Sequence, residues 1–253
     1  MVSDDQTADR HGSGSSRQRI GAMWGKRQLG GQLRMSQLFR PRADAVFRFV
    51  LWTCLLGAMT TGVTAEGLSH SAWLTGRNMI QPQPTEFSHQ HHAGELGIDC
   101  RYCHTTVETA ATAGMPPTHT CMTCHSQVWT HARMLAPVRA SLINDTPLHW
   151  QRVGRLPGYV YFDHSVHVTN GIGCSTCHGD MTRMQMTYQP HAFSMAFCLS
   201  CHRAPQDYLR PPNKIFDMQW QPPDDQTTRG QKLLAQYHIN TSGLLTDCST
   251  CHR

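Results

Sequence analysis

Apolar and polar positions are distributed unevenly along the 253 residues, and only one stretch is apolar without interruption. Residues 1–44 are polar, rich in Gly, Ser, Gln and Arg, and show no apolar period, the pattern of a disordered tail. From Phe49 to Val63 the chain reads FVLWTCLLGAMTTGV, a run that reaches back to Ala45 if Arg48 snorkels, and it predicts a membrane helix over 45–65. Beyond it no long period returns. Arg133–Ile143 places Leu135, Val138 and Leu142 on one helical face, with Pro137 limiting its start, and Arg229–Tyr237 is a second short helix candidate. Fourteen prolines and twenty glycines punctuate the remainder, so the pattern predicts mostly irregular chain with short helices.

Composition sharpens this picture. Only 39% of the residues are hydrophobic and 8% aromatic, a thin core for the length. The segment through Arg48 holds nine Lys or Arg against Asp4, Asp5, Asp9 and Asp44, which accounts for the whole net charge of +5. That excess flanks the apolar run, so it marks a cytoplasmic N-terminus rather than a nucleic-acid surface, and the chain after Ala65 lies on the outer side of the membrane. Val63-Thr64-Ala65 resembles a peptidase site, but a retained anchor is the expectation. Cys54, inside the run, reads as a packing thiol.

The other ten cysteines decide the chemistry. They form five CxxC pairs, each followed at once by histidine: Cys100-Cys103-His104, Cys121-Cys124-His125, Cys174-Cys177-His178, Cys198-Cys201-His202 and Cys248-Cys251-His252. Two thiols one helical turn apart can form thioethers to a porphyrin while the next residue places an imidazole on its iron. Zinc knuckles and redox dithiols also use CxxC, but neither needs histidine after every pair, and four-cysteine zinc sites consume pairs two at a time. The expected cofactors are therefore five covalently bound haem c groups, and the porphyrins are expected to supply much of the core.

A repeat surrounds the motifs. Phe87-Ser88-His89-Gln90-His91-His92 precedes the first two, and Phe162-Asp163-His164-Ser165-Val166-His167 precedes the next two, at nearly equal offsets. Histidines three apart share a helical face, so His89, His92, His164 and His167 are the expected distal ligands, with His91 competing for the place of His92. For the fifth iron Met195 and His149 lead, followed by His191 and His238. The domains expected are a tail over 1–44, an anchor over 45–65, a linker over 66–86 and a pentahaem domain over 87–253, with modules at 87–125 and 162–202 and the fifth motif at 248–252.

The FxHxxH turns ahead of clustered CxxCH motifs resemble the cytochrome c3 and c7 families, and the expected fold class is accordingly a multihaem cytochrome c with c3/c7-like modules plus one N-terminal transmembrane helix. Taken with the anchor, the segments FSHQHHAGELGIDCRYCH, AGMPPTHTCMTCH, YVYFDHSVHVTNGIGCSTCHGD, MAFCLSCHRAP and DCSTCHR resemble the pentahaem cytochrome subunits of alternative complex III over about residues 45–253. That resemblance implies electron transfer rather than catalysis by the chain itself. It also implies a single-pass position in a bacterial inner membrane with the haem domain on the periplasmic side. The implied partners are an iron–sulfur subunit related to molybdopterin oxidoreductases, integral membrane quinol-oxidising subunits, and a monohaem cytochrome c or terminal oxidase. Met195 stands where the family has methionine before the fourth motif, whereas Val153-Gly154-Arg155-Leu156-Pro157 stands where the family often has VxVHxLP, a histidine that His149 would replace. Two other functions compete. An anchored tetrahaem-type quinol dehydrogenase is suggested by CSTCHGDM, with Met181 three after His178, and a multihaem reductase would need one iron without a distal ligand.

Overall fold

The computed structural model describes residues 40–253, so most of the expected tail, residues 1–39, lies outside the described residues. Among the described residues there are no strands, only helices, turns and four isolated bridges. The helices are α1 (Pro41–Ser69), α2 (Ala72–Thr75), α3 (Cys100–Cys103), α4 (Thr118–His125), α5 (Ala136–Ile143), α6 (His164–Thr169), α7 (Cys174–His178), α8 (Met195–Arg203), α9 (Gln226–Gln236) and α10 (Cys248–Cys251). A π-helical turn occupies Gln90–Glu95.

At 29 residues, α1 is longer than the expected span. It rises about 43 Å, enough to cross a hydrocarbon core of about 30 Å. No ionisable side chain with a formal charge at neutral pH occurs between Arg48 and Glu66, and its large apolar side chains are exposed. Its threonines fit the same environment. Thr53 donates to Phe49 O at 2.8 Å, Thr61 to Gly57 O at 2.7 Å and Thr64 to Thr60 O at 2.8 Å, so each hydroxyl is satisfied without water. The Val63-Thr64-Ala65 triplet lies within the unbroken helix.

The segment expected as a linker is tied down. Asn78 N donates to Gln189 O at 2.7 Å, Gln83 exchanges two hydrogen bonds with the Gln151 backbone at 3.0 and 2.9 Å, and the buried Thr85 donates to Met134 O at 2.6 Å. Residues 78–85 therefore belong structurally to the domain they precede.

Both short helix expectations are met, with one change of face. α5 follows a 3₁₀ turn at Arg133–Leu135 and buries Val138 with Ser141, while Leu142 is left 45% exposed. Polarity explains the exchange: the Ser141 hydroxyl bonds both Thr118 and the Thr146 carbonyl. α9 buries Gln226, Gly230 and Leu234. Gln226 donates to the carbonyls of Gln206 and Leu209 at 3.0 and 2.9 Å, and a Cβ at Gly230 would overlap the Gln206 carbonyl.

The buried apolar side chains among the described residues are Val107, Val138, Val168, Met184, Leu209, Ile215 and Leu234. Such a set is too small to hold the domain by burial alone, since each contributes only about 1.5–3 kcal/mol. The space is organised around histidines instead.

Candidate haem centres

The five CxxC pairs lie on helical turns, α3, α4, α7, α8 and α10, which bring the two thiols to one side. All ten are free cysteines. Burial pushes up the thiols of Cys100, Cys103, Cys121 and Cys198, and those of Cys174, Cys177 and Cys201 to about 11, so these seven are not poised as reactive thiolates.

Imidazoles meet in pairs across a gap. The ring centres of His89 and His104 are 6.5 Å apart, and those of His92 and His125 are 6.1 Å apart. In the second module His164 stands 6.3 Å from His178 and His167 stands 6.1 Å from His202. Two imidazoles bound to opposite faces of one metal, with metal–nitrogen bonds of about 2.0 Å and roughly 1.1 Å from nitrogen to ring centre, need centres about 6.2 Å apart. The gap fits one iron, and each FxHxxH histidine faces a different CxxCH histidine.

The ring nitrogens are oriented for that role. Nδ1–H donates to a backbone carbonyl in His92 (Ser88, 2.8 Å), His104 (Gly114, 2.8 Å), His164 (Ala111, 2.9 Å), His167 (Asp163, 2.7 Å) and His202 (Leu245, 2.8 Å). His89 Nδ1 is bonded to the Thr187 hydroxyl at 2.9 Å. Fixing the proton on Nδ1 leaves the Nε2 lone pair for a metal. Burial, reinforced by neighbouring imidazoles, holds His89 and His178 down at about 4, so both rings stay neutral.

Phenylalanine locks each turn in the same way twice. Phe87 stacks on His92 at 4.5 Å and meets His89 edge-on at 4.9 Å; Phe162 stacks on His167 and meets His164 edge-on, both at 4.7 Å. His91, the competitor for His92, instead pairs with Glu95 at 2.8 Å and stacks on Trp129.

The fifth motif is different. His252 is packed by Tyr159, ring centres 5.9 Å apart, and no second imidazole faces it among the described residues. Met195, the first residue of α8, is 65% exposed, and His149 is exposed in the chain after α5. His191 stacks on Phe197, and His238 is exposed with a left-handed φ of 54°. The structure therefore does not bring His149, His191 or His238 to His252.

No protein-family model matches the chain. A stretch of 100 residues, 38% of the chain, is 34% identical to the multihaem cytochrome c subunit of a menaquinone reductase from Nitratidesulfovibrio vulgaris. The chain resembles a multihaem cytochrome c. The match covers 45% of that relative, so the chain spans less than half its length.

The motif segments are laced together in an order different from their order in the chain. Tyr102, inside the first motif, and Thr123, inside the second, share a hydrogen bond of 2.9 Å between hydroxyls. The carbonyls of Ala110 and Ala111, just past the first motif, accept from Ser165 N and His164 N of α6, whose His164 faces the third. α6 itself spans the third and fourth sites, and His202 of the fourth is bonded to Leu245, ahead of the fifth. The thiols agree: besides burial, Cys103 is raised by Cys121, Cys174 by Cys100, Cys177 by Cys201 and Cys198 by Cys251. The sequence of sites in space is thus second, first, third, fourth, fifth.

Sequence reasoning missed the supports. The carbonyls of Gly114, Ala111 and Leu245 are invisible to any residue-type signal, because every residue carries one. Arg210, 4% exposed and bonded to Ser175 and Thr176 between the cysteines of the third motif, was detectable only as an arginine ahead of a proline pair.

Proposed function

We propose that the chain is a membrane-anchored electron-transfer subunit that holds five haem c groups and relays electrons for a quinone-linked respiratory complex. Cys100, Cys103, Cys121, Cys124, Cys174, Cys177, Cys198, Cys201, Cys248 and Cys251 tether the groups. His104, His125, His178, His202 and His252 are proximal ligands, and His89, His92, His164 and His167 are the distal ligands of the first, second, third and fourth sites in that order. The observation that carries this reading is the set of four imidazole pairs with centres 6.1–6.5 Å apart. When bound, the haem irons supply one-electron redox chemistry; the residues hold geometry, keep the ligand nitrogens neutral and exclude water. No side chain need act as acid, base or nucleophile.

α1 anchors the chain, with residues 66–253 on the periplasmic face, because the basic flank precedes the apolar run. Resemblance to alternative complex III supports a quinol-oxidising assembly with an iron–sulfur partner and a cytochrome c or oxidase as acceptor. A second direction is favoured by the relative's name: a menaquinone reductase would run electrons toward the membrane pool. Both readings use the same wire.

The test is expression of the full chain in a host that matures c-type haems, with haem stoichiometry, low-temperature EPR and CO binding on the reduced form. Five haems per chain with the first four low-spin are expected. Two or more CO-binding irons among the five would sink the relay reading in favour of a reductase. Reduction by a menaquinol analogue, against oxidation by menaquinone, then separates the two directions in the assembled complex.

A further inference from the structure

The third motif is held by a buried cation that forms no ion pair, although the Asp217 carboxylate lies near enough to favour its charge. Arg210 is 4% exposed, and its guanidinium donates to the hydroxyls of Ser175 and Thr176 at 2.8 and 3.2 Å and to the Asp217 carbonyl at 2.9 Å. All these acceptors are neutral. The nearby Asp217 carboxylate is paired with Lys214 Nζ at 3.0 Å, and among the described residues no carboxylate lies within ion-pair distance of Arg210. Its Nε is buried without a hydrogen-bond partner. Trp220 covers one face of the guanidinium at 4.5 Å, and a Cβ on Gly173, the residue capping α7, would overlap it.

This arrangement is costly twice over. A buried charge with no carboxylate in direct contact loses hydration that neutral acceptors replace only in part. It also sits at the N-terminal end of α7, where the backbone dipoles are positive and the first and fifth motifs carry carboxylate caps, Asp99 and Asp247. A clamp of neutral bonds fixes it nonetheless: Arg210 N donates to Gly171 O at 2.8 Å and Tyr237 Oη to Arg210 O at 2.9 Å.

We propose that Arg210 is a positioning residue of the third haem centre that holds the thioether loop and raises that haem's reduction potential above those of its neighbours; this rests on the haem reading above. The hydroxyls it grips lie between Cys174 and Cys177, so its charge stands at the thioether edge of the group they tether. Propionates leave a porphyrin from the opposite edge, so those of the same group do not neutralise it. Taking up one electron at the iron removes one positive charge from the centre, a change a nearby buried cation favours, and burial prevents solvent from screening it. Because the third centre is the middle of the spatial order, electrons entering from either end come to rest there.

The experiment is a spectroelectrochemical titration of the full chain carrying Arg210→Met, Arg210→Lys or Ser175→Asp, each preceded by a haem count. One fifth of the haem absorbance is expected to titrate at lower potential in Arg210→Met, with the rest unmoved. Ser175→Asp, which sets a carboxylate against the guanidinium, should lower the same component, and Arg210→Lys should restore most of the wild-type value. An unchanged titration in Ser175→Asp with five haems present overturns the proposal, as does an equal shift in Arg210→Lys and Arg210→Met, which would make the role one of packing. If Arg210→Met fails to mature, Ser175→Asp decides. A wild-type chain without haem refutes the underlying reading instead.

Discussion

His91 and His92 are adjacent in sequence and alike in chemistry, yet their surroundings assign them different work. His92 faces His125 and gives its Nδ1 proton to Ser88, whereas His91 is spent on Glu95 and Trp129. His92→Ala should therefore add one high-spin, CO-binding iron to whatever the unaltered chain shows, and His91→Ala should add none; the CO difference spectrum of the reduced protein reads both. The five CxxCH motifs, proposed here as tethers and proximal ligands, were legible because their residues are close neighbours in the chain. The choice of His92 over His91 was legible only as a spacing, and the fifth distal position was not legible at all. A ligand brought from a remote loop leaves no local pattern, and neither Met195 nor His149 is distinguished by its setting.

Two kinds of turn present these rings. The first module uses the π-turn at Gln90–Glu95 and the second uses α6, but the outcome is common: nearly parallel planes at the first and third sites, 7° and 6°, and crossed planes at the second and fourth, 63° and 44°. Parallel imidazoles split the two iron d-orbitals with which they overlap, and crossed ones restore near-degeneracy. Low-temperature EPR should thus resolve rhombic signals from the first and third haems and strongly anisotropic signals with larger g-maximum from the second and fourth. A single class from all four would contradict the ring geometry. The FxHxxH repeat predicted the shared helical face, but the plane angles depend on Phe87 and Phe162 and on carbonyls that the sequence does not mark.

Across the whole molecule, the helical class and the long apolar N-terminal helix were readable from periodicity, while the boundary after that helix was not. Residues 78–85 look like a proline-rich spacer, yet Asn78, Gln83 and Thr85 bond to segments far along the chain. Removing residues 1–86 should cost about 3 kcal/mol relative to removing 1–69, from three or four lost hydrogen bonds at about 1 kcal/mol each. Thermal unfolding of the two truncated forms checks it, with the longer form melting several degrees higher. Equal melting temperatures would show that the segment is only a tether.

The position of the distal histidines before their cysteines gives the molecule a direction in time. On the proposed topology His89 and His92 leave the membrane ahead of Cys100, and His164 and His167 ahead of Cys174, so each ring precedes its proposed tether. The carbonyls that hold His104 and His164, those of Gly114 and Ala111, also emerge before the second module is complete. His89 and His202 must wait, because Thr187 follows the one by 98 residues and Leu245 follows the other by 43. Assembly can therefore begin at the N-terminus, with the first centre sealed once Thr187 has passed and the fourth only when the last segment has followed.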